Sequence, residues 1–195
     1  MKKLLAALFV VLSLISTSCK KDKASSTPDG EYYYHMTLGG EPVNLDIPKN
    51  NTNPDLEVGS GTLGSDVVAF NAMLTNYGDG TTLTMERGLL SNYFDATDDD
   101  FRNMFTPGNY NYSSSSSNGV GVYWYDKNGV EWGSSVGSGN QAGSSFKIVS
   151  AEDFPDPITG TLYLKTKIEF NCKLYNEAGD VKQASGTFVG LFGKI

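Results

Sequence analysis

Nucleophilic catalysis requires a base beside the nucleophile, and this 195-residue chain has a single histidine, His35. His35 lies in an alternating run, so we expect it on one face of a strand, opposite to Tyr34 and Met36. No serine is surrounded by the glycines of a nucleophile elbow. Cys172 occupies an apolar position of another alternating run, where a thiol behaves as a small hydrophobic residue. The sequence therefore predicts no catalytic residue.

Calcium is the one metal for which the sequence offers suitable ligands. Zinc prefers histidine and cysteine, which are too few here, whereas calcium takes carboxylate and carbonyl oxygens. Asp126, Asn128 and Glu131 are spaced like a short calcium loop, although a hairpin turn explains them equally well. A second group crowds before an apolar stretch and has a helix cap as its alternative explanation: Asp95, Asp98, Asp99 and Asp100. Calcium is thus an open alternative, and no other cofactor is predicted.

A pair of carboxylates across a cleft would be enough for a glycosidase. Four glutamates could supply such a pair: Glu57, Glu86, Glu131 and Glu169. Their spacing selects no pair, so a carboxylate-pair hydrolase is kept as an alternative function.

Tyrosines give the main indication of a binding surface. The chain has 11 Tyr, 10 Phe and 2 Trp, more than a small core needs. Tyr123 and Tyr125 alternate away from an apolar face that contains Trp124, and Tyr110 and Tyr112 share a parity just upstream. Aromatic rings on a sheet can stack against the apolar faces of sugars, but they also cover sheets or contact a second layer. We predict a ligand-binding face at these four tyrosines and keep sheet cover as the alternative.

The elements that carry these residues have a period of two. Residues 162–174 alternate apolar and charged, and Asn176–Asp180 turn the chain into a partner strand, Val181–Phe192. A second hairpin is predicted from Val120–Asp126 and Val130–Val136, with Trp124 opposite Trp132. Its turn ends on Gly129, which suits a left-handed conformation. Further strands are predicted at Tyr32–Leu38, Val43–Ile47, Val67–Leu74, Thr81–Glu86, Gly108–Tyr112 and Phe146–Val149.

One segment has a helical pattern. Acidic residues precede Phe101, Met104 and Phe105, which are spaced i, i+3, i+4, and Pro107 follows. Ser113–Asn118 and Gly137–Ser145 are typical of polar loops. The sequence therefore predicts an all-β fold, an antiparallel β-sandwich of jelly-roll or immunoglobulin-like type, with one short helix near residues 98–105.

The N-terminal residues are typical of an export signal. Lys2 and Lys3 precede an apolar run that is too short to span a bilayer, and Ser16-Thr17-Ser18 then lead to Cys19. A cysteine at this place is the acceptor of a lipid in bacterial lipoproteins. We predict a signal peptide at 1–18, a lipid on Cys19, a tether to residue 30, and one domain at 31–195.

The charge of the chain argues against nucleic acid as a partner. The formal net charge is −7, and it becomes −9 when Lys2 and Lys3 are removed with the signal. An acidic surface repels a phosphate backbone. The predicted partners are instead the membrane, through Cys19, and a glycan or an envelope protein.

Four short motifs occur along the chain: FTPGNY at 105–110, YDKNGVEW at 125–132, GTFVG at 186–190 and SCKKD at 18–22. These motifs resemble those of small lipoprotein domains of unknown function from Bacteroidetes. The resemblance implies a β-sandwich on the outer membrane, facing the periplasm or the exterior, and it brings no activity with it. The expected function is a non-catalytic binding module, with the hydrolase and a structural subunit of an envelope assembly as alternatives.

Overall fold

The computed structural model describes residues 31–48, 56–62, 66–113, 119–156 and 158–194. The predicted signal peptide, Cys19, the tether and most of the predicted loop Ser113–Asn118 lie outside these residues. The described part holds eleven strands and one helix: β1 (Tyr32–Leu38), β2 (Glu41–Ile47), β3 (Leu56–Thr62), β4 (Val67–Asn76), β5 (Thr81–Ser91), α1 (Asp98–Met104), β6 (Gly108–Tyr110), β7 (Val120–Tyr125), β8 (Glu131–Gly133), β9 (Ser145–Pro155), β10 (Leu162–Tyr175) and β11 (Val181–Gly193). Within it, no helix is long and apolar enough to cross a bilayer.

The strands form one antiparallel sheet that curls into a half-barrel, so the predicted all-β, sandwich-like fold is confirmed. The strand order is β2-β1-β11-β10-β8-β7-β5-β4-β3, and β9 pairs with β10 and carries β6. The curl brings the far edge of the sheet back against β11. A side chain on Gly193 would lie 2.8 Å from Val58 of β3, and one on Gly190 would lie 3.5 Å from Ala72 of β4. One curled sheet therefore supplies both layers around the core.

The register predicted for the C-terminal hairpin is confirmed. Ile168, Phe170, Cys172 and Leu174 are all 4% exposed or less and point into the half-barrel. The intervening residues of β10 face outward, and Glu169 is exposed. The second hairpin is also confirmed in its pairing, because Trp124 lies opposite Trp132.

The antiparallel pairing puts four of the hairpin turns at one end of the half-barrel. Leu38 pairs with Ala184, Thr82 with Tyr125 and Tyr175 with Gly133, so the strands enter and leave their turns on the same side. We call this the turn end, and it carries the four turns at 39–40, 77–80, 126–130 and 176–180. The opposite end, the helix end, carries α1, the starts of β1 and β10, and the last residues of β11.

Helix α1 closes the helix end. Thr97 is its N-cap and forms a capping box with Asp100, as the acidic first turn predicts. Phe101 and Phe105 face the core, where Phe105 lies 4.7 Å from Phe192 between ring centroids. The buried Arg87 guanidinium donates to the carbonyl of Met104, the last residue of α1, at 2.9 Å. The helix is thus fixed by its cap, its aromatic face and one buried cation.

Some predicted boundaries are wrong, each for a local reason. Strand β8 ends at Gly133 and not at Val136, because Ser134 and Ser135 form a turn in which the Val136 N–H donates to the carbonyl of Gly133 at 3.4 Å. Strand β6 ends at Tyr110, and Tyr112 is only a bridge to Val120. Strand β9 continues to Pro155, because pairing with β10 overrides the low strand propensity of its acidic end. The sequence predicts no strand at β3, because its two glycines, Gly59 and Gly61, have low strand propensity.

Candidate functional site

A groove of about 540 Å³ lies at the turn end, between the β7–β8 turn and the β10–β11 turn. Its volume falls within the range of small-molecule sites. Both turns and the ends of their strands line it: Tyr125, Gly129, Val130, Glu131, Asn176, Glu177 and Ala178. We refer to it as the turn-end groove.

The β7–β8 wall of this groove is built around Asp126. Its Oδ1 accepts hydrogen bonds from the backbone N–H groups of Asn128 (2.9 Å) and Val130 (3.0 Å), and its Oδ2 accepts from the indole of Trp132 (3.2 Å). Burial alone would raise the pKa of Asp126, but these hydrogen bonds hold the pKa below its usual value. Gly129 takes the predicted left-handed conformation, with φ 74°. The turn is therefore a fixed wall, and Asp126 is used within the protein.

The β10–β11 wall has the same construction around Asn176. Its side-chain oxygen accepts from the backbone N–H of Asp180 at 2.8 Å, and its amide donates to the carboxylate of Asp180 at 3.0 Å. Gly179 completes the turn with φ 87°. Asn176 is itself buried, so Glu177 and Ala178 at the tip of this turn are held in place beside the groove.

Tyr125 and Glu131 face the groove as a bonded pair. The Tyr125 hydroxyl donates to Oε2 of Glu131 at 2.8 Å. This bond, with some burial, raises the pKa of Tyr125 to about 12, because it stabilises the neutral phenol next to a carboxylate. The Tyr125 side chain is 38% exposed, as is Val130 at 39%. Within the described part of the chain, Oε1 of Glu131 accepts no hydrogen bond, so an oxygen acceptor lies beside an exposed ring.

Tyr123 lies on the same face of β7 but serves as sheet cover. Its ring lies over two glycines, since a side chain on Gly121 or Gly133 would come within 2.8 Å of ring atoms. Its hydroxyl is paired with the Ser135 hydroxyl at 2.8 Å, and burial raises its pKa. Both neighbours must be glycine for the ring to lie flat, which is the reason for the small residues there.

Tyr110 and Tyr112 are outside the turn-end groove. The Arg87 guanidinium stacks on the Tyr110 ring, 4.5 Å from its centroid. The Tyr112 hydroxyl donates to the carbonyls of Ser145 (3.2 Å) and Asn171 (3.3 Å), and burial raises its pKa. Of the four tyrosines predicted to bind a ligand, only Tyr125 lines the turn-end groove, whereas Tyr112 borders a smaller hollow of about 140 Å³.

Three of the four aspartates predicted to bind calcium have side-chain partners in the protein. Asp98 pairs with Lys194 at 3.1 Å and Asp99 with Arg102 at 2.8 Å, while Asp100 accepts from Thr97 in the capping box. Asp95 shares a small hollow with Asp100. No cluster of three or more His, Cys, Asp or Glu side chains suited to a metal ion occurs in the described ranges. Calcium at either predicted group stays a prediction.

The other residues considered for chemistry are dispersed. His35 is hydrogen-bonded to Asp46 at 2.9 Å on the outer face of β1, and it does not line the turn-end groove. Cys172 is buried, as predicted, and burial raises its pKa to about 12, which keeps the thiol protonated. Three of the four predicted glutamates also lie outside the groove, on β3, β5 and β10: Glu57, Glu86 and Glu169.

Sequence reasoning missed Glu177, Asn176 and Val130 as groove residues. The sequence predicts a turn at Asn176 and Glu177 and a strand at Val130, and neither prediction indicates a groove. The sequence does contain one signal for them: the two hairpins have turns of similar length, and these turns would be adjacent if the strands of the two hairpins paired.

Comparison of the chain with protein-family models, with curated proteins and with solved structures gave no match.

Proposed function

We propose that this protein is an outer-membrane lipoprotein whose β-domain binds a glycan, without catalysis, in the turn-end groove. The observation that carries the proposal is the exposed Tyr125 ring beside the Glu131 carboxylate, between two fixed turns. A pyranose offers an apolar face to a ring and hydroxyl donors to a carboxylate. Both features of the ligand thus have a counterpart in the groove.

The charge of the groove indicates the class of glycan. Glu131 and Glu177 line it, and no lysine or arginine is among its lining residues. Carboxylates accept hydrogen bonds from sugar hydroxyls, but they repel the carboxylates of uronic acids and sialic acids. We therefore propose a neutral saccharide as the ligand.

The position of the groove agrees with a lipid anchor on Cys19. Strand β1 begins at the helix end, so the predicted tether joins the domain there, and the turn-end groove lies at the opposite end. The 14 residues of β10 run between the two ends and span about 46 Å. The anchor would therefore leave the groove pointing away from the lipid.

A carboxylate-pair hydrolase is the second candidate, because Glu131 and Glu177 line the same groove. In this mechanism one carboxylate would protonate the leaving oxygen and the other would act as nucleophile or base. Release of reducing ends from the bound oligosaccharide, abolished in Glu131→Gln and in Glu177→Gln, would favour the hydrolase over the binding module.

The proposal predicts opposite effects for two tyrosines on the same face of β7. Tyr125→Ala should weaken the binding of a neutral oligosaccharide about 5- to 150-fold, which corresponds to about 1–3 kcal/mol for one aromatic ring. Its unfolding midpoint should stay within about 2 °C of the wild type, because the ring covers no glycine. Tyr123→Ala should lower the midpoint by several degrees and keep full affinity, because its ring covers Gly121 and Gly133.

Calorimetric titration with cello-, manno- and chito-oligosaccharides, together with thermal unfolding, measures both effects. Tyr125→Phe is the matched control, since it keeps the ring and removes only the hydroxyl that bonds Glu131. An affinity unchanged in Tyr125→Ala, for any saccharide that the wild type binds, would remove the turn-end groove from the function.

A further inference from the structure

Exposed large apolar side chains occur only at the two ends of the half-barrel in the part of the chain that the structure describes. Four are at the turn end, in or beside its turns: Tyr77, Tyr125, Val130 and Val181. Three are at the helix end, and two of them are the most exposed of all: Phe94 (76%), Phe154 (39%) and Ile158 (91%). Among the described residues, the long outer faces between the ends carry no such side chain.

The three residues of the helix end are held on one structural unit. The backbone N–H of Lys194 donates to the carbonyl of Leu162, which lies just after the turn that carries Ile158. The ammonium of Lys194 donates to the carbonyl of Ala96, two residues after Phe94. Arg102 of α1 donates to the carboxylate of Asp153, next to Phe154, at 2.9 Å. The loop that carries Phe94, the turn that carries Ile158 and the end of β9 that carries Phe154 are therefore fixed to α1 and to one another.

The chain enters the domain at this same end. Glu31 donates from its backbone to the carbonyl of Ile47 and leads directly into β1 at the helix end. The segment between Cys19 and Glu31 is eleven residues long, so it reaches at most about 40 Å when extended. A lipid on Cys19 would thus keep the helix end within a few nanometres of the bilayer.

We propose that the helix end is a membrane-docking surface, in which Phe94, Phe154 and Ile158 enter the headgroup region of the bilayer that holds the anchor. This inference rests on the proposed lipid anchor, but it does not depend on glycan binding. Aromatic and branched apolar side chains on a fixed surface are what an interfacial site needs, and a lipid surface removes them from water. Docking would hold the long axis of the domain upright and present the turn-end groove outward.

The charges of this end define the lipid that it suits. Lys194 is paired with Asp98, and Arg102 is paired with Asp99. Further negative charge comes from Asp95 and Asp156. An anionic bilayer would repel this surface, whereas a zwitterionic bilayer would not. The surface therefore fits zwitterionic headgroups.

Depth-dependent quenching tests the docking on the acylated full chain in phosphatidylcholine vesicles that contain brominated lipid. A fluorophore is placed in Thr159→Cys, next to Ile158, or in Asn128→Cys, at the tip of the β7–β8 turn. Cys172 is buried and does not compete for label. We expect quenching at position 159 at least threefold stronger than at 128, and weaker quenching at 159 when anionic lipid is added.

The double variant Phe94→Ser, Ile158→Ser should reduce quenching at position 159 to the level at 128, while flotation with the vesicles is unchanged. Equal quenching at the two positions in the otherwise wild-type chain, or no effect of the double variant, would overturn the docking. Failure of the chain to float would overturn both the anchor and the docking. Loss of saccharide binding alone would affect only the proposed function.

Discussion

Cys19→Ala should release this protein from the membrane fraction completely. The substitution removes the atom to which the lipid would be attached, and each methylene that an acyl chain buries contributes about 0.8 kcal/mol to retention. Two or three chains therefore supply most of the free energy that holds the protein, and the three apolar side chains of the helix end cannot replace it. Fractionation of cells into membrane and soluble extracts, with labelling by radioactive fatty acid, measures the effect.

Cys172→Ala is the matched control, because it removes the second of the two cysteines and leaves Cys19 in place. We expect it to remain labelled and in the membrane fraction. Label in the Cys19→Ala variant, or its retention in the membrane at the wild-type level, would contradict the lipoprotein proposal.

Phe170→Ala should have the largest effect on folding among single substitutions in β10. Phe170 is 4% exposed and lies between Phe146 on β9 and Gly186 on β11. A cavity of this kind costs about 3–5 kcal/mol, a large part of a typical stability of about 5–15 kcal/mol. For a domain of this size we expect the unfolding midpoint to fall by about 6–20 °C.

Glu169→Ala provides the control on the same strand, because its side chain points to solvent on the outer face. Its free energy of unfolding should change by about 0.5 kcal/mol or less. Chemical denaturation of both variants measures the difference, and similar losses at positions 169 and 170 would mean that the orientation of β10 is wrong.

Alternation along the strands was enough to predict the interior of this fold. Leu164 to Leu174 on β10, and the Trp124–Trp132 pair, follow from a period of two and from one glycine in a turn. Local sequence could not predict β3, because Leu56–Thr62 contains two glycines and its packing against β11 comes only from the curl of the sheet. The curl itself depends on contacts between strands that are more than 100 residues apart, such as Val58 and Gly193.

The candidate site was only partly predictable for the same reason. Tyr125 was found because its parity places it outward on β7, but parity could not separate it from Tyr123. The difference lies in the glycines at positions 121 and 133, which let the Tyr123 ring lie flat on the sheet. Glu177 enters the groove only because β10 pairs with β8 at Tyr175 and Gly133, which brings the two turns side by side.

The measurement that tests the central claim most directly is a nuclear magnetic resonance map of saccharide binding. Backbone amide shifts are followed while the protein is titrated with a neutral oligosaccharide that it binds. We predict that the shifts are confined to residues 125–131 and 176–178, the two walls of the turn-end groove. Shifts centred elsewhere, such as in the shallow hollow that Tyr33 and Lys167 line on the outer face, would contradict the assignment of the groove as the binding site.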